Sequence, residues 1–143
     1  MITYTSGNIL ESTADVIVIP TNCQGVAGKG LAKAAADKWP NWNEQYHYRR
    51  SGYVAGQIYW FRMANGPSYI CAMMTKKQWR NPSKLIWITS ALDELREGLK
   101  GNIVATVAMP KVGCGLGGLD WTDVQREIDA RLLHADFDTI VYI

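Results

Sequence analysis

The segment MPKVGCGLGGLDW, residues 109–121, sets glycines at 113, 115, 117 and 118 between a proline and a helix start. Glycine supplies positive φ or lets the backbone come close to something, at a cost of about 0.5–1 kcal/mol each in chain entropy. A second segment, TNCQGVAGKGLA at residues 21–32, repeats the design with glycines at 25, 28 and 30. Such loops aim several main-chain amides at one point, and amides gathered at a helix N-terminus bind anions. Tight strand-to-helix connections that hold nothing have the same composition. Two of them after buried strands favour a ligand that carries phosphate. Neither is a nucleoside-triphosphate loop, because no G-x-x-x-x-G-K-[ST] occurs and Lys29 is followed by glycine. GCGLGG echoes G-x-G-x-x-G, yet it lies late in the chain and lacks the acidic ribose reader expected about twenty residues on.

The elements that must position these loops are legible around them. ITYT and DVIVIPTN read as strands, the second a continuous apolar run of the sort covered on both faces. GKGLAKAAADKWP is a helix that Pro40 ends near Trp39, and NWNEQYHYRRS is a second one, capped by Asn41 and closed near Gly52. QIYWFRM and SYICAMM are two strands about the turn ANGP, as a hairpin or as neighbours. In NPSKLIWITSALDELREGLK, Leu85, Ile88, Leu92, Leu95 and Leu99 fall at helical spacing, with Asn81 or Ser83 as cap and Gly98 and Gly101 near the end. NIVATVAMP, residues 102–110, is a strand; Asp120 caps a helix from Trp121 to about Leu133, and TIVYI is the last strand. The alternation predicts one α/β domain over 1–143, three layers deep, around a mixed, mainly parallel six-stranded sheet. Ligands of such sheets sit beyond the carboxyl ends of the strands, where both glycine loops fall.

Composition narrows the function classes. With 48% hydrophobic and 20% charged residues the chain has the balance of a globular domain. A net charge of +2 permits an anionic partner without identifying a nucleic-acid binder. Cys23, Cys71 and Cys114 are widely spaced and odd in number, which offers neither a disulfide framework nor a CxxC pair and suits a reducing cytoplasm. The start MITYTSGNIL has no basic and apolar leader pattern, and no run is long enough to span a bilayer, so no membrane is expected. His47 and His134 are isolated, so neither a metal nor a cofactor is expected, and His47 reads as a surface helix residue.

TNCQGVAGKGLA and PKVGCGLGGLDW, with GNIL near the start and TKKQWRNPS between, resemble the macrodomain family, in its branch of DarG-type DNA ADP-ribosyl glycohydrolases and terminal ADP-ribose glycohydrolases. The match spans almost the whole chain. The resemblance implies a macrodomain fold holding ADP-ribose across the top of the sheet, with Pro110, Val112, Gly113, Cys114, Gly115, Leu116 and Gly117 around the diphosphate. Asn8 and Ile9 stand where the family reads the adenine edge, although Asn8 also suits an Asx turn. Asn22, Gly25, Gly28, Lys29, Gly30 and Leu31 match the loop around the distal ribose, and Tyr142 a region flanking the adenine, or simply core.

The same resemblance makes Lys76 the reactive group, with Lys77 the adjacent alternative; in an extended strand only one of the two faces the cleft. The amine takes up protons or traps the opened sugar aldehyde as a Schiff base, and both roles need a pKa depressed by desolvation or by a cation such as Lys77 or Arg80. Asn22 would orient the base or ribose. The protein-deribosylating relatives carry an aspartate in the diphosphate loop where this chain has Gly117, while Asp120 is placed to cap a helix. That departure favours thymidine-linked ADP-ribose on single-stranded DNA and a lysine-only mechanism. Trp79 is placed to stack on an unpaired base or to pack, and Arg80 to hold a phosphate. The expectation is a monomeric, cytoplasmic, antitoxin-like hydrolase, without the further domains that antitoxins of this class carry. A non-catalytic ADP-ribose reader, an ADP-ribose 1″-phosphate phosphatase and a hydrolase of glutamate-linked ADP-ribose are the alternatives.

Overall fold

Strand β2 (Val16–Asn22) is the centre of the molecule, and its apolar run has a direct reason. Val16 and Val18 belong to one core cluster while Ile17 and Ile19 belong to the other, so both faces of the strand are buried. The protein is described by a computed structural model covering residues 1–101, 104 and 106–143. Around β2, in chain order, come β1 (Ile2–Thr5), α1 (Gly30–Lys38), α2 (Pro40–Tyr48), β3 (Ile58–Arg62), β4 (Tyr69–Lys76), α3 (Leu85–Gly98), β5 (Thr106–Pro110), α4 (Trp121–Leu132) and β6 (Asp138–Tyr142).

The sheet order is β1-β6-β5-β2-β4-β3, parallel throughout except for β3, which runs antiparallel to β4. This is the mixed, mainly parallel six-stranded sheet expected. Ala35, Ala36, Trp42 and Tyr46 of α1 and α2 cover one face, and Ile88, Leu92, Leu95, Val124, Ile128 and Leu132 of α3 and α4 cover the other. At about 25 cal/mol per Å² of apolar surface, these two interfaces supply the main driving force for folding.

Three boundaries differ from the sequence reading. Helix α2 starts at Pro40, with Trp39 rather than Asn41 in the cap position, because proline's fixed φ and missing N–H suit the first helical residue. It ends at Tyr48, and a 3-10 turn at Arg50–Gly52 follows. Neither Asn81 nor Ser83 caps α3: Lys84 occupies that position without a side-chain bond. The Ser83 amide is engaged with Gly117 O at 2.9 Å and that of Asn81 with Gln78 O at 3.1 Å, so this segment folds back on the glycine loop instead. Strand β5 begins at Thr106; the part of the expected strand at 102, 103 and 105 lies outside the described residues, and Val104 is not in the strand. Asp120 does cap α4, accepting from the Thr122 N–H at 2.8 Å.

Candidate functional site

Helix α1, after β2, lies on one face of the sheet, and α4, after the neighbouring β5, lies on the other, so the connections diverge and leave a crevice between them. A cleft of about 670 Å³ fills that crevice, a size that suits a nucleotide-like ligand. Its floor is formed by the strand ends Pro20, Thr21, Asn22, Thr75, Lys76 and Pro110.

The two glycine loops form opposite walls. Gly28, Lys29, Gly30 and Leu31 line one, and Lys111, Gly113, Gly115, Leu116 and Gly117 the other. The glycines there answer to different demands. Gly113 has φ +76°, and a Cβ on it would come within 2.8 Å of Leu119 Cδ1 and 3.0 Å of Ile88 Cδ1. A Cβ on Gly117 would overlap the Gly113 carbonyl oxygen and Ser83 Oγ. Both are glycine because the fold leaves no room. Gly115 has an ordinary φ and open space where its Cβ would stand, so no part of the protein requires it. A ligand approaching the backbone would. Opposite, Lys29 caps α1 without a side-chain bond, which leaves the first amides of the helix open to the cleft and its positive dipole end unopposed.

Lys76 reaches the cleft through an irregularity in the sheet. The β2–β4 register pairs Thr21 with Met74 and Asn22 with Lys76, so Thr75 is an extra residue on β4, and both Thr75 and Lys76 line the cleft. Lys76 Nζ donates to Leu116 O at 3.2 Å and Trp79 O at 3.3 Å, which suspends the amine between the glycine loop and the 77–80 turn. Burial lowers its pKa below the ordinary 10.5. Loss of one proton keeps both hydrogen bonds and turns the third position into a lone pair, so the neutral amine fits the same cradle. Lys77 is exposed, with Nζ 5.9 Å from the Trp87 ring centroid, and is not among the cleft residues.

Asn22 lies in the floor, but its side chain is tied to its own loop. Nδ2 donates to Val26 O at 2.8 Å, and Oδ1 accepts from the amides of Gln24 at 3.1 Å and Val26 at 3.3 Å. The Tyr46 hydroxyl bonds the Asn22 carbonyl at 2.9 Å, holding strand and loop together from below. One amide hydrogen of Asn22 remains for the cleft. Trp79, 41% exposed, and Arg80, whose guanidinium lies 4.8 Å from the Trp79 ring centroid, stand on the rim. The other expected ligand residues are not in the cleft wall. Val112 is fully buried, Cys114 is half-buried with Sγ near Val112 O, and Gly25 lies against α2. Asn8 accepts from the Leu10 N–H at 3.0 Å as the cap of a 3-10 turn, while Ile9 and Tyr142 belong to the core cluster that also holds Leu31 and Ala32. Burial pushes the Cys23 and Cys114 thiols up, which disfavours thiolate chemistry in either loop.

Three contributors had no signal in the sequence. Gln24 Oε1 accepts from the Trp79 N–H at 2.9 Å and joins two rims of the cleft, and Lys111 lines the wall. Ser83 is buried against Gly117, and its Oγ has no hydrogen-bond partner among the described residues. An unpartnered buried hydroxyl costs about 1–3 kcal/mol, so Ser83→Ala is expected to raise the melting temperature of the ligand-free protein. A thermal melt showing a lower value would give that hydroxyl a stabilising role.

Residues 18–128 match the model of the Macro domain family. The DNA ADP-ribosyl glycohydrolase of Mycobacterium tuberculosis is 37% identical over 99% of this chain, and that of Thermus aquaticus 31% over 92%. This chain spans about two fifths of the length of those relatives, 42% and 38%. Among solved structures, the macrodomain of Mycobacterium tuberculosis DarG superposes with a TM-score of 0.93 at 34% identity, covering 99% of this chain and 97% of that one.

Proposed function

The chain belongs to the macro domain family, and from that premise we propose that it is an ADP-ribosyl hydrolase that releases ADP-ribose from a nucleobase, thymine, in single-stranded DNA. The observation that carries this reading is the juxtaposition of a part-buried amine with a cleft walled by two glycine loops, one of them leading into the N-terminus of α1, which has no side-chain cap. Relatives named DNA ADP-ribosyl glycohydrolase support the choice of DNA. In the proposed site the wall at 113–117 and the open end of α1 take the diphosphate. Lys76 then lies beside the distal ribose, and Asn22 turns its remaining amide hydrogen toward it.

The bond between the ribose anomeric carbon and the base nitrogen breaks, water supplies the hydroxyl to the carbon, and the base leaves with a proton. Lys76 either takes the proton of the attacking water, or adds its lone pair to the anomeric carbon as the base nitrogen leaves and takes up the amine's proton; the resulting glycosylamine opens to an imine, which water hydrolyses to ADP-ribose and the free amine. Borohydride reduction during turnover separates the two routes. A stable adduct on Lys76 marks the imine.

The decisive experiment incubates the protein with a single-stranded oligonucleotide ADP-ribosylated on thymidine and measures free ADP-ribose. Release supports the hydrolase; binding of ADP-ribose without release makes the protein a reader. The rate is expected to rise with pH and level off at the lowered Lys76 pKa, below 10.5, because the neutral amine is the active form. The stability effect has the same sign. The unfolded chain keeps the ordinary lysine value, so between the lowered folded pKa and 10.5 it binds more protons than the native state, and stability rises with pH. A rate that falls with pH across this window would exclude the neutral amine.

A further inference from the structure

Residues 45–92 contain seven of the chain's fifteen Lys and Arg and none of its thirteen Asp and Glu, so this stretch carries +7 and the remainder −5. The modest net charge conceals a strong polarity. Four of the seven, Lys76, Lys77, Arg80 and Lys84, fall within nine consecutive residues between the end of β4 and the start of α3. Among the described residues none of the seven takes part in an ion pair with a carboxylate. Their charge is uncompensated, and Lys77, Arg80 and Lys84 are exposed at the side of the cleft.

Aromatic rings alternate with these cations. Arg80 lies 4.8 Å from the Trp79 ring centroid, and the Trp87 centroid has Lys84 Nζ at 5.2 Å and Lys77 Nζ at 5.9 Å. Trp87 is half-buried and steadied from behind, since a Cβ on Gly56 would meet its Cα and Cδ1 at 3.4 Å. A steadied indole with two ammonium groups within about 6 Å of its centroid suits one unpaired base and the phosphates that flank it, the mobile lysine side chains moving to the phosphates as the base takes the ring. A duplex offers no free base face to such a platform.

We propose that residues 77–87 form a docking track for single-stranded DNA, leaving the cleft past Trp79 and Arg80 and continuing over Trp87, with Lys77 and Lys84 beside it. The track rests on the reading that the ADP-ribose is joined to a DNA base, and it extends the site beyond the modified nucleotide to its neighbours in the strand. It also supplies specificity for polymer over free nucleotide, because the cleft alone does not distinguish them.

The test uses an unmodified single-stranded thymidine-rich oligonucleotide of about a dozen nucleotides, with fluorescence anisotropy across a salt series. Each phosphate contact contributes about 0.7 to the slope of log Kd against log salt for single strands, so Lys77→Ala/Lys84→Ala is expected to reduce the slope by about 1.4. Trp87→Leu is expected to weaken binding about tenfold at fixed salt. Lys33→Ala/Arg126→Ala, outside the cationic stretch, should leave the slope unchanged. ADP-ribose affinity, measured by calorimetry on the same proteins, should stay within about twofold in every variant, since none of these residues lines the cleft. Unaltered slope in the Lys77/Lys84 variant, an equal loss in the Lys33/Arg126 variant, equal affinity for a duplex, or tighter binding of an RNA strand of the same sequence would each overturn the track. ADP-ribose binding with no oligonucleotide binding removes the track and leaves the cleft reading standing. Failure of ADP-ribose itself to bind removes both.

Discussion

Lys76→Ala is expected to lower the rate of ADP-ribose release from modified DNA by about 10²–10⁴-fold, the range that positioned proton transfer supplies, while changing ADP-ribose affinity by less than about tenfold. The split follows from the geometry. Nζ is tied to two carbonyl oxygens, those of Leu116 and Trp79, and to none of the amides proposed to hold the diphosphate, so truncation leaves those amides unaltered. The carbonyls it releases face a cleft open to water, which keeps the cost to folding small. Lys76→Arg is the sharper control. A guanidinium preserves charge and can reach carbonyls, but it does not deprotonate at working pH and should be about as inactive as alanine. Single-turnover rates on an ADP-ribosylated oligonucleotide, with calorimetry on free ADP-ribose, measure both quantities. Substantial activity in the arginine variant would show that positive charge, not a lone pair, is what the position contributes.

Much of the fold could be read from the chain because its local signals agree with its topology. The run DVIVIPTN is apolar at every interior position up to Pro20, which requires burial on both faces, and the structure places alternate residues in two different cores. Pro40 stops one helix and starts the next, and both follow from its ring, although the sequence reading drew only the first consequence. The cap of α3 was illegible for a different reason. Asn81 and Ser83 are good capping types, but Asn81 folds back on Gln78, three residues earlier, and the Ser83 amide bonds Gly117, thirty-four residues on, a partner that no local pattern reports.

The site was legible in kind and less so in detail. Glycine spacing located both walls of the cleft, yet it could not separate Gly117, glycine because the fold is crowded, from Gly115, glycine with no demand from the fold. Strand alternation favoured one of two adjacent lysines. What brings Thr75 and Lys76 to the same cleft is the register shift beside Asn22, a pairing property that appears only when β2 lies against β4. The lowered pKa of Lys76 comes from burial, one of the two causes anticipated; neither Lys77 nor Arg80 is among its causes. Summed charge misled most. A total of +2 is unremarkable, whereas a stretch of forty-eight residues without a carboxylate is a signal that only a windowed count reveals.

Gly115 and Gly117 provide the second large effect, because adding a side chain should act on different properties at two positions only two residues apart. Gly115→Val introduces a side chain into space that is empty of protein, at a residue whose φ is ordinary, so the ligand-free melting temperature should shift by no more than about 2 °C. The same isopropyl group stands in the wall proposed to take the diphosphate, and ADP-ribose affinity should fall at least about thirtyfold, some 2 kcal/mol. Gly117→Ala forces a methyl onto the Gly113 carbonyl and Ser83 Oγ, so the loop must move, at a cost of about 1–3 kcal/mol and several degrees of melting temperature. Affinity falls there too, but as a consequence of a displaced wall. Thermal melts and calorimetry on the two variants therefore separate a glycine kept for the ligand from one kept for the fold. Wild-type ADP-ribose affinity in Gly115→Val would mean that the diphosphate does not approach this wall, and the assignment of the loop to a phosphate-bearing ligand would fail with it.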